Sequence, residues 1–273
     1  MTIVLAAVDA RPSAKPVLGT AVAIAALFDA RVVALHVREN GIGGVEKAAS
    51  AADAELRVFS GTPVDQIIAV AETREVAALV LGARGARDGP EPAGHTALEV
   101  ITRVPKPVVV VPPHVQPPEQ LARILVPLDG SPESSRALEA IIELAHRQRV
   151  EILVLHIHTP ATVPAFADHE PHATSAWGQE FLRRHIATPH ERVKLFHRLG
   201  VPADDITNVA RESGADVVVL AWSQKLVEGR AQVVCEMLAR SSIPVLLLPV
   251  LTSHRGATRS RTTPYIATEG FSA

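Results

Sequence analysis

The chain contains its own plan twice. The segment IVLAAVD, ending at Asp9, returns as RILVPLD, ending at Asp129, 120 residues later. Pro12 and Pro132, Leu18 and Leu138, and ALHVRE from Ala34 against VLHIHT from Val154 keep that offset. Farther on, Gly61 of GTPVDQIIAVAETREVAALVLG matches Gly200 of GVPADDITNVARESGADVVVLA, 139 apart, so the second copy carries an insertion, placed after Thr159. The copies close with PKPVVVVP and SIPVLLLP, whose Pro107 and Pro244 stand 137 apart. Self-similarity over nearly the whole length means two copies of one structural unit. A chain of 273 residues has room for two cores of the usual size.

Within each copy the apolar pattern alternates between short runs that are apolar on both faces and longer runs at helical spacing. The first copy predicts strands at 3–8, 32–37, 77–81 and 108–111, and a helix over 63–75. The second predicts strands at 124–128, 152–157, 217–220 and 245–248, and a helix over 202–213. Strands buried on both faces and separated by helices belong to parallel α/β sheets. The expected fold is α/β: two doubly wound, mostly parallel five-stranded sheets with helices on both faces. The expected organisation is a domain over 1–113, a proline-rich linker over 114–122, a domain over 123–250 and a disordered polar tail over 251–273. The last strands, VVVVP and VLLLP, would be exposed apolar edges, which proteins cover. The two domains are therefore expected to pair through them about a pseudo-twofold axis.

Composition removes several function classes. Lys and Arg number 27 against 29 Asp and Glu, a net charge of −2, so no overall positive field exists to hold nucleic acid or an acidic membrane surface. Aromatic residues are only 3%, too few for a base-stacking platform. The apolar run over 16–28 is shorter than the roughly 20 residues of a membrane helix. It follows a strand-like opening with no basic region or cleavage site, so no secretory signal is expected. A single Cys235 excludes an intrachain disulfide and a thiolate metal cluster. A cytoplasmic location is expected.

The opening VPLDGSPESSRALEAIIELA, the LHV-type second strand, the GADVVVLA fourth strand and the PKPVVVVP close, in this order over about residues 1–250, resemble a tandem universal stress protein. Some members of that family hold ATP through Gly-x2-Gly-x9-Gly followed by Ser or Thr, just after the fourth strand. Such spacing lets backbone N–H groups curl around phosphates in front of a helix N-terminus. The resemblance puts Asp9 and Asp129 on the adenosine side, at the carboxyl end of each first strand, with Val37 and Ile157 lining the base. In the first half Gly82 and Gly85 match the first two glycines. Counted from Pro105 and Pro107, Gly94 is the third glycine and His95 stands where the hydroxyl belongs; counted by nine residues, His95 replaces the glycine and Thr96 supplies the hydroxyl. The candidate nucleotide-binding set is thus Asp9, Val37, Gly82, Gly85, Gly94, His95 and Thr96, with ATP as the implied ligand. Thr96 and Glu99 also have the spacing of a helix capping box. Arg11, before Pro12, could reach a phosphate or obstruct the pocket.

The second half keeps DGSPESS, with Ser131 expected as a helix N-cap before proline, but its loop has lost the cradle. Ala221 and Gln224 stand where glycines belong, and Trp222 adds bulk. Seven histidines fall between His156 and His197 without metal-ligand spacing, and no metal site is expected. His36 and His156 are expected to pack, and Cys235 to be a small buried hydrophobe. No catalytic set emerges. The resemblance implies a non-enzymatic stress-response or regulatory protein binding a nucleotide in its first half. A ligand-free scaffold for a protein partner and slow ATP hydrolysis or phosphotransfer are the alternatives, and pairing of chains into a homo-oligomer is expected from the frequency of isologous dimers.

Overall fold

The structure, a computed structural model, describes residues 1–38, 44–84, 91–158, 171–186, 193–226 and 230–250, with backbone alone at 171–176 and 230. The first half runs β1 (Ile3–Ala7), α1 (Ala14–Phe28), β2 (Arg31–Val37), α2 (Val45–Ala51), β3 (Glu55–Phe59), α3 (Pro63–Ala71), β4 (Val76–Gly82), α4 (His95–Arg103) and β5 (Val108–Val111). The second runs β6 (Arg123–Pro127), α5 (Pro132–Arg147), β7 (Glu151–His158), α6 (Pro171–His185), β8 (Val193–Leu199), α7 (Pro202–Ser213), β9 (Val217–Trp222), α8 (Arg230–Arg240) and β10 (Val245–Pro249). The tail beyond Val250 and the start of the insertion, 159–170, lie outside the described residues.

Rather than two separate sheets, the strands form one of ten strands in the order β3-β2-β1-β4-β5-β10-β9-β6-β7-β8. Pairing is parallel within each half, and β5 meets β10 antiparallel. The reason lies in the edges: each half ends on a strand of buried aliphatic residues, and hydrogen bonding them to each other satisfies both. The register is reciprocal, with Val110 opposite Val245 and Val108 opposite Leu247, so repeat equivalents exchange partners across the seam.

Residues along each strand alternate between two cores. Ile3 and Leu5 face α3, α4, α7 and α8, while Val4 and Ala6 face α1, α2, α5 and α6. Each core runs through both halves. The repeat extends to the backbone, since Asp29 and Arg149, 120 apart, both adopt left-handed conformations. The segment 112–122 forms neither helix nor strand, yet it is packed: Pro117 lies against Gly19 of α1, leaving no room there for a Cβ. Among the described residues no helix is long and apolar enough to cross a membrane.

Candidate functional site

In a sheet of order 3-2-1-4-5, the chain leaves β1 toward opposite sides through β2 and β4, and a crevice opens beyond their carboxyl ends. Here it is a cavity of about 600 Å³, within the range of small-molecule sites. Six of the seven sequence-derived residues line it: Asp9 after β1, Val37 at the end of β2, Gly82 at the end of β4, and Gly94, His95 and Thr96 at the start of α4. Gly85 lies outside the described residues.

Asp9 is already engaged. Its Oδ1 accepts the Arg11 backbone N–H at 3.2 Å and the Ser13 hydroxyl at 2.9 Å, and Oδ2 lies 3.4 Å from the Arg11 guanidinium. Arg11 is therefore folded onto Asp9 at the rim and leaves the cavity open. Both side chains are nearly half exposed, 41% and 45%, so this ion pair contributes little to stability. Ser13 precedes α1 but gives its hydroxyl to Asp9 and makes no side-chain cap bond to the helix. In the second half Ser131 does cap, accepting the Ser134 N–H at 3.3 Å with Pro132 at the first turn.

The residues expected on a phosphate side cluster at the start of α4. This helix starts at His95 with Gly94 at its N-cap and no side-chain cap bond. The capping box expected from Thr96 and Glu99 is not formed, because Thr96 is already inside the helix; Glu99 pairs instead with Arg103 at 2.9 Å and His95 at 3.6 Å. The Gly94 N–H goes to the Ala83 carbonyl at 2.7 Å, tying the helix start to the end of β4. First-turn N–H groups have no partner within a helix, so the uncapped end of α4 presents donors and partial positive charge to the cavity. A Cβ on Gly82 would meet its nearest neighbours, the Arg84 carbonyl and Val17, at 3.6 and 3.7 Å, which is ordinary contact. The protein's own packing does not demand glycine there. Arg84 donates to the Glu91 carbonyl at 2.8 Å and also lines the cavity.

In the second half a cavity of about 560 Å³ lies beside Gly130, between α5 and the end of α6, lined by Pro132, Ser135, Arg184 and His185. Asp129 Oδ1 accepts the Ser131 N–H at 2.9 Å, much as Asp9 does with Arg11. Gly130 has φ +81, and Phe181 and His156 pack over it. Ala221 and Trp222 end β9, Trp222 buried, and Gln224 follows in a left-handed conformation.

His36 and His156 hold equivalent positions for a definable reason. Each ring Nδ1 donates to the carbonyl that follows the first strand of its half, Val8 at 3.0 Å and Leu128 at 2.8 Å. Sequence reading missed the company His156 keeps: His158, His185, His197, Trp177 and Phe181 gather around it. Alternation of His156 and His158 on one strand, and the four-residue spacing of Trp177, Phe181 and His185 on one helix, were the available signals. Among the described residues no group of histidine, cysteine or carboxylate side chains is arranged to hold a metal ion. Cys235 is half-buried, and burial, with Glu236 and Glu91, pushes its thiol pKa up, away from nucleophilic character.

Fold and cleft together define a duplicated doubly wound α/β protein with a crevice at a switch point. The chain matches the universal stress protein family twice, at residues 43–112 and 121–249, and belongs to that family. A universal stress protein of Bacillus subtilis, YxiE, is 27% identical over 113 residues, covering 36% of this chain and 76% of that one. Among solved structures, a universal stress protein from Archaeoglobus fulgidus aligns with TM-score 0.64 at 18% identity, covering 91% of this chain and 96% of that one. A functionally unknown protein from Pseudomonas aeruginosa PAO1 aligns with TM-score 0.64 at 14% identity, covering 92% and 93%. At these identities the structural likenesses speak for the fold.

Proposed function

We propose that the chain is a non-enzymatic, ligand-responsive member of its family that binds ATP in the first half only. The observation that carries this reading is the asymmetry of the halves. Residues from β1, β2, β4 and α4 line an open cavity of about 600 Å³ in the first half, whereas in the second Phe181 packs on Gly130 and the cavity of about 560 Å³ lies between α5 and the end of α6. In this reading Val37 and Asp9 face the adenosine, and Gly82, Gly85, Gly94, His95 and Thr96 surround the phosphates. The free end of α4 supplies N–H donors. Arg11 would leave Asp9 Oδ2 and turn to a phosphate, exchanging one charge partner for another.

In the same reading, residues 1–113 and 123–250 are two domains joined by 114–122 and related by a pseudo-twofold axis, which the reciprocal β5–β10 register supports. The single cysteine supports a reducing, cytoplasmic compartment. Pairing of whole chains and a protein partner that reads the bound state complete the proposal. The test is ATP affinity in the presence of magnesium for the intact chain and for a Gly82→Val, Gly85→Val variant. Binding at least tenfold weaker in the variant, with an unchanged melting temperature, supports the assignment. Equal affinity rejects it.

A further inference from the structure

Four histidines scattered in sequence converge at one place in the second half. His156 and His158 share a face of β7. His197 on β8 is the register partner of His156, and His185 ends α6. Trp177 and Phe181 of α6 lie among them. Ring centroids place Trp177 4.8 Å from His197, 5.3 Å from His158 and 5.5 Å from His156. Phe181 is 4.7 Å from His156 and 4.5 Å from His185, and the Trp177 and Phe181 rings stack at 5.0 Å. The helix sits tightly on this surface, since a Cβ on Gly178 would meet His197 Nε2 and Leu195 Cδ2 at 3.3 Å. Beneath it, the Leu128 carbonyl fixes His156, and Phe181 covers Gly130 in the turn after β6.

The packing suits neutral rings. One protonated imidazole beside Trp177 is tolerable, because an indole face attracts a cation. A second or third is not, because His156 and His158 are 4.5 Å apart and His158 and His197 6.3 Å apart, within unscreened range. From α5, Ser135 hydrogen-bonds His185 Nδ1 at 2.8 Å, and Arg136, Glu139 and Glu143 line the cavity beside His185, with Arg136 paired to Glu133 and Glu143 to Arg147. From the turn after β6, Asp129 favours a charge on His185, while Arg184 on α6 opposes it. Glu180 is engaged by Arg183 and Arg184. On the strands, Lys194 pairs with Glu151 and Arg198 with Glu212, and the groups facing the rings from β7 and β8 are the histidines themselves.

We propose that α6 is an acid-released cover: with the imidazoles neutral, Trp177 and Phe181 lie over the histidines of β7 and β8, and protonation of His158, His185 and His197 unseats the helix from them. This does not depend on nucleotide binding in the first half. Burial, then the charge on His156, holds the His158 pKa below the ordinary histidine value. Burial, then His158 and His156, does the same to His197, and burial, then His156 and Arg184, to His185. Such groups favour the seated form at pH above their unfolded value of about 6.5. Their contribution is lost as the pH falls from there toward the folded-state values.

The experiment follows intrinsic fluorescence of the full chain from about pH 8 to about pH 5, the range in which imidazole titrates. Subtracting a Trp177→Phe variant separates Trp177 from Trp222. The expected result is a red shift of Trp177 emission with a midpoint below about pH 6.5, steeper than a single-proton titration, while far-UV circular dichroism stays unchanged. A His158→Gln, His197→Gln variant should flatten the transition, and the two single variants serve if the double variant does not fold. Constant Trp177 emission, the same transition in the variants, or a transition that coincides with loss of circular dichroism would overturn the proposal.

Discussion

Gln224 Nε2 donates to the Val104 carbonyl at 2.8 Å and to the Ile101 carbonyl at 3.2 Å, so the loop after β9 caps the end of α4 in the opposite half. This residue stands where the family resemblance places a glycine, and it keeps the left-handed backbone, φ 59, that glycine favours. At this position the second half has a clasp across the seam. Gln224→Ala should destabilise the chain by about 1–2 kcal/mol, the worth of two such bonds. Gln224→Gly should cost less, because relief of the left-handed conformation returns about 1 kcal/mol. Denaturant unfolding of both variants checks the order.

Gly19 sits inside α1, where alanine would ordinarily be better by about 1 kcal/mol. A Cβ there would lie 2.5 Å from Pro117 Cγ, closer than atoms can approach. Gly19→Ala is therefore expected to lower stability, by about 1–3 kcal/mol as for other overpacked sites. A raised melting temperature would mean that the 112–122 segment does not rest on α1.

Asp216 holds the start of β6 to β9. Its Oδ2 accepts the Ala122 N–H at 2.7 Å and the Arg123 N–H at 2.8 Å. Removing the acceptor from two backbone donors by Asp216→Ala should cost about 2–3 kcal/mol. Asp216→Asn keeps an acceptor oxygen and should fall between, in the same unfolding measurement.

Arg11 tests the phosphate side independently of glycine. Arg11→Ala should weaken ATP binding about tenfold or more, the worth of a charge-assisted contact. It should leave adenosine binding unchanged or improved, since Asp9 Oδ2 is then unpaired with Arg11. Equal losses for both ligands would place Arg11 away from the phosphates.

Much of the scaffold was legible because the relevant patterns are local. The VVVV run of β5 and the helix over Pro202–Ser213 have the bounds their apolar spacing implies. The helix from Pro63 stops at Ala71, short of Glu75, because Thr73 turns the chain by bonding back to Val70 before β4 begins. The α4 start was misread for a similar reason: Gly94 is held by Ala83 from a distant strand end, and that tie displaces the local Thr96 box. The Gln224 clasp was out of reach and the histidine cluster legible only in its local spacings, since both depend on which strands become neighbours. His156 and His197 are 41 residues apart in sequence yet opposite each other in register.

The number of ATP molecules bound per chain, read by calorimetric titration of the intact protein with magnesium at neutral pH, tests the asymmetry of the halves most directly. One site per chain is the predicted result, because the first-half cavity is framed by β1, β2, β4 and the start of α4, while in the second half Phe181 packs on Gly130 and the cavity lies between α5 and α6. Two equivalent sites, or none, would contradict it.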